Sequence, residues 1–145
     1  MEIYTIGFAR KPAREFFGAL RRAGIQQVLD VRLNNTSQLA GFTKRDDLAF
    51  FLQELCGAAY LHEPLLAPTK EILKAFKKKQ ITWQEYETHF VALLRERKVE
   101  GKLDRAFFER PTALLCSEPT AEHCHRRLVA EYLERQWQNM TITHL

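Results

Sequence analysis

Between Cys116 and Arg126 the chain places two thiols, two imidazoles, two carboxylates and a guanidinium within eleven residues. Such a set supports nucleophilic or redox chemistry, with Cys124 or Cys116 as thiolate and His125 as base. Arg126 and helix N–H groups would then receive an anionic substrate. The same residue types have two other uses. Cys116, Cys124 and His125 are metal-ligand types. They also suit a packed junction in which the thiols fill small spaces, His125 hydrogen-bonds a strand-end carbonyl and Arg126 neutralises Glu118 or Asp30.

Spacing narrows the options. Seven residues separate the two thiols, which is not the C-x-x-C spacing of a zinc knuckle. Adjacent Cys and His side chains also chelate one ion poorly from a regular helix, so no metal ligands are assigned. A C-x5-R loop of the phosphatase or sulfurtransferase type needs Arg at position 122 or 130, where Glu122 and Ala130 stand. Neither a G-x-x-x-x-G-K-S/T phosphate loop nor a G-x-G-x-x-G dinucleotide fingerprint occurs.

The elements that must position these groups follow from pattern. Thr112 to Cys116 is continuously apolar, as in a parallel strand covered on both faces. Pro119 or Thr120 is expected to open the last helix, whose buried face is Leu128, Val129, Tyr132 and Leu133. Cys124 then lies four residues before Leu128 and His125 four before Val129, so both turn toward the sheet. Their place in the first turns favours an anion or a thiolate.

Upstream, Ile3 to Ile6 is a first strand stopped by Gly7. Pro12 opens a helix with the stripe Phe16, Phe17, Leu20 and Ala23, ending at Gly24. Val28 to Arg32 completes a βαβ unit with parallel strands. Asp30 and Arg32, two ionisable groups in an apolar strand, form either an internal ion pair or a ligand contact. Asn34 to Ser37 is a polar loop at the same edge. Thr43 is read as the N-cap of a helix running to Gly57, with Cys56 as a packing cysteine. Ala59 to His62 is a short strand. Lys70 to Lys79 is a helix whose lysines form a solvated face or a phosphate-tracking patch, and Thr82 with Glu85 is a capping box for a helix reaching about Arg97. His89, on the less apolar side of that helix, reads as a surface histidine. Leu103 to Phe107 adds a helical segment, and Met140 to Leu145 alternates as an edge strand.

The composition limits the class. At 145 residues the chain fits one compact domain, residues 1–145, able to bury a core without disulfides. Lys and Arg number 22 against 18 Asp and Glu, a mild excess that favours anionic partners only where it clusters locally. No segment approaches the roughly 18 apolar residues of a membrane span, and no signal-like start precedes Ile3, so a soluble, cytoplasmic protein is expected. Three cysteines are an odd count, and reduced thiols are expected there.

Taken as an ordered set, Tyr4-Thr5-Ile6-Gly7, Asp30-Val31-Arg32 with Ser37, Tyr60-Leu61-His62-Glu63-Pro64-Leu65, Leu115-Cys116-Ser117-Glu118 and Cys124-His125-Arg126 resemble the DUF488 family of bacterial and archaeal proteins. That resemblance covers nearly all of the chain. It implies a small α/β domain and a pocket assembled from Asp30, Arg32, Ser37, Cys116, Glu118, Cys124, His125 and Arg126, and it implies no activity. Two departures stand out: Phe8-Ala9 replaces the His-Ser that commonly follows the first glycine, and Asn35 stands where a proline is usual.

The resulting expectation is a three-layer α/β domain with a mainly parallel sheet flanked by helices. Strand ends at Gly7, Arg32 and Cys116 surround one cleft, with Cys124, His125 and Arg126 as its anion-facing wall. The functional expectation is Cys-dependent chemistry by Cys116, Cys124 and His125 on an anionic substrate, either a small molecule such as a nucleotide or a nucleic acid. Asp30, Arg32, Ser37, Glu118 and Arg126 would bind it. The alternative is a non-catalytic nucleic-acid or small-ligand binding module. The pattern names no cofactor.

Overall fold

The computed structural model describes residues 1–36, 41–118 and 121–145. Its centre is a five-stranded, all-parallel sheet. The strands are β1 (Glu2–Gly7), β2 (Gln27–Asp30), β3 (Ala59–His62), β4 (Thr112–Cys116) and β5 (Thr141–His144), and they lie in the order β3-β2-β4-β1-β5. The helices are α1 (Ala13–Arg22), α2 (Arg45–Cys56), α3 (Lys70–Lys77), α4 (Trp83–Arg97), α5 (Val99–Lys102) and α6 (His125–Gln136).

Alternation along the strands divides the interior into two layers. Ala113 and Leu115 of β4, with Ile6 and Val28, pack on Phe16, Phe17 and Leu20 of α1 and on Leu48 and Leu52 of α2. Leu114 and Cys116, with Ile3 and Leu29, pack on Tyr86, Phe90 and Leu94 of α4 and on Leu128, Val129 and Leu133 of α6. Each fully buried side chain of this kind stabilises the fold by about 2 kcal/mol relative to exposure. Burial on both faces is what the unbroken apolar run of β4 encodes. Cys116 therefore points toward the layer that contains α6.

The topology dictates where strand ends open. From β1 the chain crosses through α1 on one face to β2, and from β4 it crosses through α6 on the other face to β5. Neighbouring β1 and β4 thus send their chains to opposite sides, and a crevice forms at their C-terminal ends. Register places Gly7 opposite Cys116 and Asp30 opposite Leu115.

Several boundaries differ from those read in sequence. Strand β2 ends at Asp30 rather than Arg32, although Val31 N–H still donates to Leu115 O at 3.1 Å. Helix α2 is capped by the extended Lys44 with no side-chain cap bond, and Thr43 sits buried in a 3-10 turn (Gly41–Thr43) where its carbonyl accepts from Arg32 Nη2 at 2.8 Å. Helix α6 starts at His125 rather than at Pro119 or Thr120, both of which lie outside the described residues. Cys124, at φ −135° and ψ 138°, is its extended N-cap. Residues 121–123 form a turn instead of a first helical turn, which lets His123 stack on Trp83.

Candidate functional site

The C-terminal ends of β1, β2 and β4 open into a cavity of about 380 Å³, within the range of small-molecule sites. Cys116, Cys124 and His125 line its floor. Phe8, Arg32, Asn34 and Thr43 form one side, and Leu73, Phe76, Lys77, Trp83 and Tyr86 of α3 and α4 form the other. Ser117, Glu118 and His123 complete the mouth.

The three floor groups touch one another. Cys116 Sγ lies 3.4 Å from His125 Nδ1. His125 Nε2 is 2.6 Å from Val31 O, and a carbonyl only accepts, so Nε2 carries the proton and Nδ1 is unprotonated, with the sulfur 3.8 Å from Nε2 as well. The edge of the His125 ring also meets Phe90, with centroids 5.4 Å apart. Burial holds His125 below its ordinary imidazole pKa, so the neutral ring is favoured. A hydrogen bond from Cys124 draws the Cys116 pKa down against the opposing effect of burial, helped by the Ser117 N–H and the Arg126 charge. That same bond, with burial, pushes Cys124 up. Between the two thiols, the environment favours the thiolate at Cys116 over that at Cys124.

Behind the thiols lies Arg126, which is completely buried. Its Nη1 donates to Glu118 O at 2.5 Å and to Cys124 Sγ at 3.7 Å, while Nε has no partner. No carboxylate among the described residues lies within ion-pair reach of it. A buried guanidinium without a carboxylate favours negative charge on the sulfurs beside it. The backbone makes room for this arrangement at Gly7, where a Cβ would stand 1.5 Å from Glu118 O and 2.5 Å from Arg126 Nη1.

Asp30 and Arg32 take separate roles. Asp30, wholly buried, accepts from Arg32 Nε at 2.9 Å and Arg32 Nη2 at 2.8 Å. It also accepts from Arg32 N–H at 3.0 Å and Tyr60 OH at 2.5 Å. Burial, then the bond to Asp30, raises the Tyr60 pKa to about 12. Asp30 therefore serves the internal ion pair and does not line the cavity, whereas Arg32 does, with its guanidinium 5.2 Å from the Phe8 ring centroid. His62 Nε2–H donates to the Arg32 carbonyl at 2.8 Å, because that oxygen only accepts.

A family model described as a domain of unknown function, DUF488, matches residues 12–133, most of the chain. The chain belongs to the DUF488 family. No curated protein and no solved structure matches it significantly. The DUF488 match takes in β2, β3, β4 and α6 as far as Leu133, and with them every floor residue of the cavity. Gly7 and Phe8 precede it.

Of the site residues expected from sequence, Arg32, Cys116, Glu118, Cys124 and His125 meet at one cavity. Asp30 and Arg126 support it from behind, and Ser37 lies outside the described residues. Sequence reasoning passed over the aromatic wall. Trp83 stacks on Tyr86 with centroids 5.0 Å apart and on His123 at 5.1 Å. A tryptophan at the first position of a capped helix was the available signal, since core packing rarely requires one there. His89, read as a surface histidine, is exposed.

Proposed function

We propose that this protein is an enzyme in which Cys116 attacks an anionic, nucleotide-sized substrate with His125 as its base. The contact between Cys116 Sγ and His125 Nδ1 at the floor of an open cavity carries the reading. Nδ1 takes the thiol proton, the sulfur attacks an electrophilic atom of the substrate, and the imidazolium returns the proton to the leaving group. Lys77 and His123 at the rim supply positive charge or hydrogen bonds for an anion, against one carboxylate, Glu118, while Arg32 on the wall is already paired with Asp30. Trp83 and Tyr86 offer flat apolar surface to a ring. Free thiols doing this work belong in a reducing compartment, and the cytoplasm is the proposed location.

The test is alkylation. In reduced, metal-free protein at neutral pH, Cys116 should react with iodoacetamide at least about tenfold faster than Cys56, whose pKa is raised by burial. Equal or slower reaction at Cys116 removes the nucleophile. The exposure of Cys116 at 5% and of Cys124 at 2% favours a second reading, a binding module for a nucleotide or nucleic acid that uses the cluster only for support. Nucleotide binding that survives Cys116→Ser unchanged, with no turnover in the parent protein, would select it.

A further inference from the structure

The objection to a metal at this cluster assumed that Cys124 and His125 both sit in a regular helix. They do not. Cys124 is extended and His125 is the first helical residue, so the two adjacent side chains converge instead of diverging by a helical step. One ligand atom from each of Cys116, Cys124 and His125 lies within 4.8 Å of the others, and all three residues are buried. Tetrahedral zinc with thiolate and imidazole ligands requires ligand–ligand edges of about 3.5 to 3.8 Å. The Cys116 Sγ to His125 Nδ1 edge is already 3.4 Å, and the other edges are within 4.8 Å.

We propose that Cys116 Sγ, Cys124 Sγ and His125 Nδ1 form a three-ligand site for one zinc-class divalent cation, with the fourth position open to the cavity. Two of the three ligands already have an outer partner of the kind such a site uses. His125 donates Nε2–H to Val31 O, which orients the ring and frees Nδ1. Arg126 Nη1 donates to Cys124 Sγ. That N–H donor suits a thiolate, and two thiolates with an imidazole are a borderline-soft set that selects zinc over magnesium or calcium.

Charge also defines what the fourth position takes. Two thiolates, one Arg126 guanidinium and a divalent cation leave a net single positive charge, which hydroxide or an anionic substrate group neutralises. Binding the cation releases the thiol protons to solvent. Three protein ligands with an open position are the arrangement of catalytic rather than structural zinc. The inference stands apart from the thiol-nucleophile reading: the cation site exists whether or not Cys116 attacks a substrate. Where both hold, the cation converts Cys116 from nucleophile to ligand.

The experiment is a titration of reduced, chelator-stripped full-length protein with Co²⁺, followed by displacement with Zn²⁺. The expected result is one equivalent bound, with an intense thiolate-to-cobalt charge-transfer band and tetrahedral visible bands that Zn²⁺ abolishes. Cys56→Ser should keep the spectrum, and Cys124→Ser should weaken affinity at least about tenfold. X-ray absorption of the zinc-loaded parent protein should give two sulfur and two nitrogen or oxygen neighbours, a readout independent of how the variants fold. No spectral change at one equivalent, loss of the bands in Cys56→Ser, or a sulfur count other than two overturns the site. Iodoacetamide separates the two readings. Fast labelling of Cys116 without cobalt bands leaves the nucleophile and removes the metal, while cobalt bands with inert metal-free thiols do the reverse.

Discussion

At the scale of single residues, the site depends on groups that never touch its cavity. Asp30 is wholly buried and holds Arg32 in a bidentate pair while accepting from Tyr60. Removing the hydroxyl in Tyr60→Phe leaves one carboxylate lone pair short of a donor and should cost about 1–2 kcal/mol. Asp30→Ala strands the buried guanidinium and should cost about 3–5 kcal/mol. Urea denaturation measures both; an Asp30→Ala cost below about 0.5 kcal/mol would mean that Arg32 is solvated after all. Gly7 presents a different constraint, because a methyl group there meets the Glu118 carbonyl at 1.5 Å. The nearest neighbour is a backbone carbonyl rather than a flexible side-chain tip, so Gly7→Ala should destabilise by about 3 kcal/mol or more. An unchanged denaturation midpoint in that variant would show that the β1 end and the Glu118 loop are not in close contact.

At the scale of elements, two helix starts build the cavity. Helix α4 opens with a complete capping box: Glu85 N–H donates to Thr82 Oγ1 and Thr82 N–H to Glu85 Oε1, both at 3.1 Å. The cap holds Trp83 at the first turn, where its ring joins Tyr86 and His123. Thr82→Ala should cost about 1 kcal/mol of stability and loosen this wall. Differential scanning calorimetry would show the lowered midpoint, and a Trp83 fluorescence unchanged in position and quenching would argue that the cap does not organise the wall. Helix α6 opens differently. Its N-cap, Cys124, makes no side-chain cap bond because its sulfur is turned to Cys116 and Arg126. A stronger capping residue would face the first-turn N–H groups and leave the thiol pair incomplete.

At the scale of the molecule, the fold disfavours the charged form of two imidazoles. Burial lowers the pKa of His125, and burial followed by the Arg126 charge lowers that of His144, which shares a 2.6 Å hydrogen bond with Thr5 Oγ1. Glu131 opposes the shift at His144, while Arg127 reinforces it. A base with a depressed folded pKa is protonated first in the unfolded chain. Its contribution is therefore fully present above the ordinary value of 6.5 and falls as pH drops below it. The unfolding free energy from urea titration should decline as pH falls from about 6.5 to about 5.5, by at most about 1.4 kcal/mol per pH unit for each imidazole. His144 is partly exposed and contributes the smaller share, so His144→Asn should flatten the slope only in part. An unfolding free energy constant over that range would show that the fold disfavours the charged form of neither imidazole.

Much of this architecture was legible in the chain itself. Apolar periodicity, Gly7, Gly24 and Gly57 as stops, and the Thr82–Glu85 pair fixed which segments are strands and helices, because those signals act between residues a few positions apart. The strand–turn–helix run from Cys116 to Arg126 likewise located the floor of the cavity. Its details lay beyond local pattern. Whether Cys124 is helical or extended, whether Arg126 faces the cavity or lies behind the thiols, and whether Asp30 serves a ligand or Arg32 depend on contacts between segments distant in sequence. The wall formed by Phe76, Trp83 and Tyr86 exists because α3 packs against α4. Side-chain periodicity tells which face is buried, but only three-dimensional packing decides which groups meet there.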